Sequence, residues 1–329
     1  MLYYFLRRLI YMFITIAAVS VVTFTIIQLP PGDYLTSYMM QLEATGIKVS
    51  VSEIASLRKQ YGLDQPMHIQ YFIWIWNIIR HGDFGRSFQW NRPVSGLIWE
   101  RLALTAIMGL LATVFTFAVA VPIGIYSATH QYSPADYTFT VTGYVGLATP
   151  NFLLALILMF MGYKYFGASV GGLFSPEYLQ AAWSLGKVLD MFSHLWIPVV
   201  VLGTAGTAGL IRIMRGCLLD ELRKQYVITA RAKGAKESTL LFKYPVRVAI
   251  NPIVSTIGWR LTAIISGAPI VAVVLSLPTT GPLMLRALLN QDMYLAGSLI
   301  LILCILTVIG TFISDILLGL LDPRIRMGR

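Results

Sequence analysis

Six long apolar runs dominate the sequence and restrict what the chain can fold into. They cover residues 2–29, 102–126, 139–163, 196–214, 248–277 and 294–321. Each run has roughly 20 residues or more, the length that an α-helix needs to cross the hydrocarbon core of a bilayer. With 57% hydrophobic and only 12% charged residues, the composition also lies well outside that of soluble domains. The sequence therefore predicts an all-α membrane protein with six transmembrane helices.

The distribution of positive charge predicts how these helices are oriented. The net charge is +10, and the basic residues lie beside the apolar runs: Arg7 and Arg8 open the first, Arg212 and Arg215 close the fourth, and residues 322–329 follow the sixth. Because Lys and Arg are retained on the cytoplasmic side of a membrane, both termini are expected to be cytoplasmic. A nucleic-acid partner is not expected, since no basic domain stands free of the membrane.

Charge and hydropathy divide the chain into three parts. Residues 1–100 contain the first span and a long polar segment that is expected on the periplasmic side. Residues 101–321 contain the other five spans and a basic cytoplasmic loop at 213–247. Residues 322–329 form a cytoplasmic tail. The first run is longer than the apolar region of a signal peptide, so we expect it to remain as a span.

The segments between the spans carry expectations of their own. In the N-terminal polar segment, residues 52–61 and 67–80 are expected to form short helices, the second one amphipathic and rich in tryptophan, which favours the membrane interface. Residues 164–194 have little periodicity, and residues 277–293 contain the turn sequence PTTGP, so both are expected to be outer connections. The third span is expected to be loosened or kinked at Gly143, Gly146 and Pro150.

Three glycines of the fourth span, Gly203, Gly206 and Gly209, follow one another at small-residue spacing. Such a pattern has two interpretations in a membrane protein: a ridge that faces a pore, or a surface that allows close packing of a neighbouring helix. Close packing is the commoner use of small residues between membrane helices, and we favour it here.

A basic segment between the fourth and fifth spans is the most distinctive stretch of the chain. Residues 220–233 are good helix formers that place Leu222, Tyr226, Thr229 and Lys233 on one face, and Gly234 is suited to end that helix. A second short helix with Leu240 and Leu241 is expected to follow. The segment has the form of a docking element, but on physical grounds alone a loop that only sets topology is equally plausible.

Several motifs resemble one family of membrane proteins. The run TARAKGAKESTLLFKYPVRVAINP resembles the cytoplasmic loop of permease subunits of bacterial ABC importers, in the oligopeptide, dipeptide and nickel class. PPGDY, YGLDQP, GDFGRSF and RPV resemble further signatures of these permeases. In that family the loop carries the EAA motif, whose leading Glu corresponds to Ile228 here. The resemblance implies the type I ABC importer permease fold, with the loop docking on an ATPase subunit and transmitting its movement.

The resemblance also implies the partners and the coupling residues. It implies a second homologous permease subunit, two ABC ATPase subunits and a periplasmic substrate-binding protein, all working at the bacterial inner membrane. ATP and Mg²⁺ would bind to the ATPase subunits, and this chain would bind no cofactor. The solute would be a peptide by family default, with oligosaccharide-like or opine-like solutes as alternatives. The coupling residues implied are Tyr226, Thr229, Ala230, Arg231, Ala232, Lys233 and Gly234.

Two charges, Arg260 and Asp315, fall within predicted spans rather than among the basic residues that mark span ends. Arg260 lies midway along the fifth span and Asp315 in the inner part of the sixth. A charge at such depth is costly and normally faces protein or a water-filled cavity. Arg260 is a candidate for contact with solute, or for a structural bond. For Asp315 we favour a structural bond between helices or between subunits, with Arg260 as one possible partner. Where the family often has Glu near the outer end of the fifth span, this chain has Ala272.

The sequence gives no sign of enzymatic or metal chemistry. Its four histidines lack metal-ligand spacing and are expected at the surface, and neither a G-x-S-x-G nor a Walker A motif is present. Cys217 and Cys304 lie in or beside spans and do not support a disulfide framework or a zinc site. The main alternative is a self-sufficient secondary transporter, which would need ion-coupling carboxylates at mid-membrane and an inverted repeat. Neither is visible.

Overall fold

The structure is a computed structural model that describes residues 2–28, 65–87, 89–167, 171–256 and 269–321, and these ranges are mostly helical. The helices are α1 (Leu2–Gln28), α2 (Met67–His81), α3 (Val94–Thr129), α4 (Pro134–Ala148), α5 (Asn151–Phe166), α6 (Leu185–Leu222), α7 (Gln225–Ala232), α8 (Glu237–Lys243), α9 (Pro245–Ala249), α10 (Asn251–Ser255), α11 (Pro269–Val274), α12 (Thr280–Leu289) and α13 (Met293–Leu321). Two short strands, β1 (Arg86–Ser87) and β2 (Arg92–Pro93), pair antiparallel.

Four of these helices are long and apolar enough to cross a membrane. The candidate spans are Phe5–Ile26, Val94–Thr129, Leu185–Leu222 and Met293–Ile313. Helices α4 and α5 add a fifth if the bent pair is taken as one span. The prediction of a helical membrane protein is therefore confirmed. The predicted fifth span at 248–277 runs through residues 257–268, which lie outside the described ranges, as does the predicted helix at 52–61.

The third predicted span is broken rather than gently bent. Helix α4 ends at Ala148, and α5 restarts at Asn151 at an angle of 104° to it. Thr149 between them is extended, with φ −78° and ψ 123°, the conformation that a residue preceding proline prefers. The predicted kink at Pro150 is therefore present, and it divides the predicted span at 139–163 into two helices.

Helices α3 and α6 form the centre of the bundle and pack along much of their length. Their contact is close because glycines lie between them. A Cβ atom added to Gly203 would come within 2.3 Å of the Phe115 ring, and one added to Gly124 within 2.6 Å of the Met214 Cβ. A Cβ added to Gly209 would meet nothing within 4 Å. The packing interpretation of the glycine pattern therefore holds at Gly203, and Gly209 faces open space.

Helix α6 is much longer than the predicted fourth span. It has 38 residues, beginning at Leu185 and ending at Leu222, where the sequence predicted a span at 196–214. The first turns of α6, from Leu185, occupy the end of the segment 164–194 that was predicted to be an outer connection. His194 belongs to these turns, and its side chain is only 7% exposed. His194 Nδ1 is 2.9 Å from the backbone oxygen of Asp190. The surface expectation is therefore wrong for His194, whereas the other three histidines are exposed.

The N-terminal segment is anchored at the start of α13. Helix α2 places buried Trp74 against Phe24 of α1, with their ring centroids 5.5 Å apart, while Trp76 stays 57% exposed. After α2, the hairpin of β1 and β2 is fixed by Ser87, whose Oγ lies 2.5 Å from the buried Asp292 carboxylate just before α13. The predicted helix at 67–80 is confirmed. This anchoring lies at the end of the bundle where α3 and α13 begin.

The predicted outer turn at 277–293 is instead mostly helical. Helix α12 occupies ten of its residues, directly after the turn sequence begins. The backbone N–H of Thr280 donates to Thr105 Oγ1 at 3.0 Å, and Gly281 lies against Pro269. These contacts with α3 and α11 fix the start of α12, although glycine and proline there suggested only a turn.

Candidate functional site: the basic connector

Residues 223–244, here called the basic connector, join α6 to α9 at the end of the bundle where α3 and α6 finish. The connector carries six basic residues and one acidic residue. It contains α7 and α8, separated by a turn around Gly234. The predicted order of helix, glycine and helix is therefore present.

The first connector helix begins later than predicted. Asp220, Glu221 and Leu222 belong to the last turn of α6, and Lys224 is extended with φ −72° and ψ 147° before α7 starts at Gln225. The change of direction lets Val227 return to the bundle, where it is fully buried. The prediction of one helix over 220–233, with Leu222 on the same face as Tyr226, is therefore wrong.

A glycine with positive φ ends α7. Gly234 has φ +77°, in the left-handed region, and its N–H donates to the backbone oxygen of Arg231 at 3.0 Å. The N–H of Ala235 donates to the oxygen of Ala230 at 3.3 Å. These bonds satisfy carbonyl groups that the end of a helix leaves free, and glycine takes this conformation without a steric cost. The chain then reverses into α8, which is anchored by fully buried Leu240.

Tyr226 ties α7 back to the end of α6. Its hydroxyl donates to Glu221 Oε2 at 2.5 Å, across the extended residue Lys224. Partial burial of the phenol and its bond to the Glu221 carboxylate raise the pKa of Tyr226 to about 12. Tyr226 therefore stays protonated at any physiological pH and remains a donor to Glu221.

Arg231 ties α7 forward to α8. Its Nε and Nη2 donate to the two carboxylate oxygens of Glu237 at 2.5 and 3.1 Å, so that the ion pair spans the turn at Gly234. The hydrogen bonds from Arg231 hold the pKa of Glu237 below its usual range. With Tyr226–Glu221 on one side and Arg231–Glu237 on the other, α7 is braced against both neighbouring helices.

The surface that the connector exposes to solvent carries both apolar and polar side chains. Ile228 is 48% exposed and Phe242 61% exposed, although both are large hydrophobic residues. Thr229, Ala232 and Lys233 are exposed as well, and Ala230 is half-buried. The structure thus brings all seven predicted coupling residues onto α7 and its terminal turn, with most of them accessible to a partner.

Two residues of this site were missed by sequence reasoning. Glu221 and Glu237 make the charged bonds that hold α7, yet neither was singled out. Glu237 lies six residues after Arg231, on the other side of a glycine, and that arrangement of opposite charges about a turn was the available signal. Glu221 gave no such signal, since it was assigned to the same helix as Tyr226.

Of the two charged residues predicted within spans, the structure describes only Asp315. Asp315 of α13 forms an ion pair with Arg8 of α1, with 2.7 Å between Oδ2 and Nη1. The bond fits the expectation of a structural interhelical role, with Arg8 as the partner. Arg260 lies outside the described residues. Ala272 of α11 is 3% exposed and packs in the apolar core with α5 and α6.

Comparison with known families and proteins agrees with these features. Residues 120–327 match the family described as binding-protein-dependent transport system inner membrane component, and residues 1–109 match the N-terminal model of the same kind of component. The first match alone covers more than half of the chain.

Similar proteins extend over the whole chain. The oligopeptide transport system permease protein AppB of Bacillus subtilis is 34% identical over 324 residues, which cover 98% of each chain. OppB, an oligopeptide transport system permease protein of Haemophilus influenzae, is 29% identical over 327 residues, covering 99% of this chain and all of the relative. The dipeptide transport system permease protein DppB of Escherichia coli is 29% identical over 342 aligned residues, covering 99% of both chains. From its apolar helices and these matches, the chain is a multi-pass inner-membrane protein that belongs to the family of inner-membrane components of binding-protein-dependent transport systems.

Proposed function

We propose that this chain is the permease subunit of an ATP-driven peptide importer and that the basic connector is its contact with an ATPase subunit. The observation that carries the proposal is the form of the connector: a short, exposed helix that is braced on both sides and follows directly on the longest helix of the bundle. Similarity to permease proteins named for oligopeptide and dipeptide transport supports the choice of solute class.

A braced α7 can transmit force to the centre of the bundle. Closure of two ATPase subunits on ATP would displace α7, and the Tyr226–Glu221 bond would pass the displacement to α6. With 38 residues, α6 is about 57 Å long, so a shift at its connector end reaches the far side of the bundle. Rigid-body movement of this kind converts a nucleotide-bound state into a change of access to the pathway.

The topology proposed for the full chain has six spans with both termini in the cytoplasm. The first span and the following segment, to residue 100, would precede a five-helix core at 101–321 and a cytoplasmic tail at 322–329. A second permease subunit, two ATPase subunits and a periplasmic binding protein would complete the importer. ATP and Mg²⁺ would be held by the ATPase subunits, so this chain would carry no cofactor. Arg260 is proposed to contact the solute, and Asp315 to hold α13 to α1.

The proposal is tested by purifying the tagged chain from its native membrane in mild detergent and identifying the proteins that co-elute. Two ATPases, a second permease and a binding protein are expected. The complex is then reconstituted in vesicles with a pool of fluorescein-labelled pentapeptides. Uptake that depends on ATP and on the binding protein is expected. Uptake by the chain alone without ATP would contradict the proposal and favour a secondary transporter.

The ion pair across the Gly234 turn provides a first prediction. Arg231→Glu and Glu237→Arg, each alone, place like charges at this turn and are expected to lower ATP-driven uptake by about threefold. The effect is modest because both side chains are more than half exposed. Uptake per reconstituted complex is the measurement.

The double variant Arg231→Glu with Glu237→Arg is the control for a direct contact. If the pair acts as a brace, exchanging its charges restores the attraction and most of the uptake. If Arg231 instead binds an acidic group of the ATPase, the exchanged variant stays as impaired as Arg231→Glu alone, and the brace is ruled out.

A further inference from the structure

A buried ion pair joins α4 to α6 close to the basic connector. Arg215 Nη2 of α6 donates to Asp136 Oδ2 of α4 at 3.0 Å. The same carboxylate oxygen accepts the backbone N–H of Tyr132 at 3.0 Å. The Asp136 side chain is only 5% exposed and that of Arg215 31% exposed. Sequence reasoning treated Arg215 as a marker of topology and gave Asp136 no role.

The position of Asp136 in α4 is unusual for a charged residue. Asp136 is the one residue of α4 that is buried, whereas apolar residues of this helix such as Val141 and Val145 are 60% exposed. The described part of α4 is therefore held to the bundle without a buried apolar anchor. The contact of its one buried residue with α6 is electrostatic.

Two glycines lie farther along the contact between α4 and α6. A Cβ added to Gly143 would lie 3.4 Å from the Ala208 Cβ, and one added to Gly146 would lie 2.8 Å from Thr204 Cγ2. Together with Asp136–Arg215, these neighbours show that α4 runs antiparallel to α6. Small residues allow close approach but offer few interlocking side chains to resist sliding. A hydrogen-bonded ion pair has a preferred direction, so Asp136–Arg215 is suited to fix the register of α4 on α6.

The hydrogen bonding around the pair is incomplete. Among the described residues, Asp136 Oδ1 and Arg215 Nε are buried without a hydrogen-bond partner. The hydroxyl of Ser127, in the last turns of α3, lies beside the carboxylate without completing a bond of normal geometry. A partly satisfied buried network costs free energy. A pair of this kind, with its preferred direction, is suited to hold one relative position of α4 and α6.

We propose that the Asp136–Arg215 pair is a positioning link that makes α4 follow α6 when the connector moves. Arg215 lies about two turns before the end of α6, next to the point where displacement of α7 would enter the bundle. Helix α4 is the first half of the broken pair with α5. The link would thus pass movement of the connector to that pair, and would set how much solute is moved for each ATP hydrolysed. This last consequence rests on the function proposed above.

Arg215→Gln and Asp136→Asn test the link, and Arg212→Gln is a matched control. Arg212 is on the same helix and is exposed, so its replacement removes the same charge from the same end of the helix. In vesicles containing the complex and labelled pentapeptides, the two link variants are expected to move about fivefold fewer peptides per ATP hydrolysed. Arg212→Gln should stay within about twofold of the wild type. The double link variant should be no worse than either single variant, because both remove one interaction.

A second measurement does not depend on transport. Spin labels are attached at Leu147→Cys in α4 and Ile213→Cys in α6, both exposed positions, with Cys217 and Cys304 replaced by serine. The distance distribution between the labels in the purified complex is expected to be narrow for wild type and Arg212→Gln, and broad for Arg215→Gln.

The outcomes separate the link from the proposed function. If the wild-type complex shows no ATP-driven uptake, the proposed importer function is contradicted. If the link variants alone still broaden the distance distribution between the spin labels, the proposed link between α4 and α6 is retained. Unchanged distributions, or an unchanged ratio of peptide to ATP with only a lower melting temperature, would show that the pair merely stabilises the fold and would overturn the proposal.

Discussion

Gly234→Val is expected to reduce ATP-driven uptake about tenfold or more while the protein still inserts in the membrane at a normal level. Gly234 ends α7 with φ +77°, a conformation that costs an ordinary L-residue roughly 1–2 kcal/mol and a β-branched residue more. Relief of that strain would change the direction in which α8 leaves α7 and would separate Arg231 from Glu237. Uptake per reconstituted complex and the amount of protein in the membrane are the two measurements.

Gly234→Asn is the control, because asparagine tolerates the left-handed conformation and is similar in size to valine. A Cβ at this position would meet nothing within 4 Å in this chain, so neither variant creates an internal clash. We expect Gly234→Asn to retain most of the uptake. Equal loss in both variants would mean that any side chain here obstructs the partner, and equal activity would mean that the turn is not part of the coupling surface.

Gly203→Ala is expected to destabilise the bundle by about 1–3 kcal/mol, because it inserts a methyl group into the closest part of the α3–α6 contact. The new Cβ would lie 2.3 Å from the Phe115 ring and 3.3 Å from the backbone oxygen of Ala112. The Phe115 ring must move to admit the methyl group, and the Ala112 oxygen belongs to the backbone of α3, which cannot turn aside as a side chain can. The melting temperature of the detergent-purified protein should fall by roughly 5 °C.

Gly209→Ala is the matched variant on the same helix. Its Cβ would meet nothing within 4 Å, and alanine is a better helix former than glycine. Its melting temperature is therefore expected to equal or slightly exceed that of the wild type. A similar loss of stability in both variants would show that helix packing does not distinguish the two glycines, contrary to the close contact at Gly203.

The ends of a helix were predicted well where a long apolar or periodic segment defines the helix. Helix α13 and the amphipathic helix α2 were placed within one residue at each end, since long apolar or periodic segments have few alternatives. The break at Thr149 and Pro150 was located but underestimated. A proline specifies where a membrane helix is weak, but whether the helix kinks or restarts depends on which neighbours receive the two halves.

In the basic connector, too, some features were predicted from the sequence and others depended on packing. The glycine turn and its two helices were predicted from the residues, because glycine is the residue that adopts φ +77° without a steric cost. The start of α7 was misplaced by five residues, because burial of Val227 and the bond from Tyr226 to Glu221 depend on how the connector folds back on α6. Resemblance to known permeases pointed to α7 as the proposed coupling element, while the acidic partners that hold this helix, Glu221 and Glu237, came only from the structure.

The sequence by itself determined that the chain crosses the membrane repeatedly, where its basic connector lies and which family it belongs to. These properties depend on local composition, charge and motif, which do not require knowledge of the packing. The tertiary structure decided that α4 and α5 meet at 104°, that Asp315 pairs with Arg8, and that Asp136 is buried against Arg215. The two ion pairs join residues far apart in the chain, and the angle depends on how each of the two helices packs against its neighbours. The charged residues and the proline are visible in the sequence. Which of these groups come into contact is determined only when the helices pack.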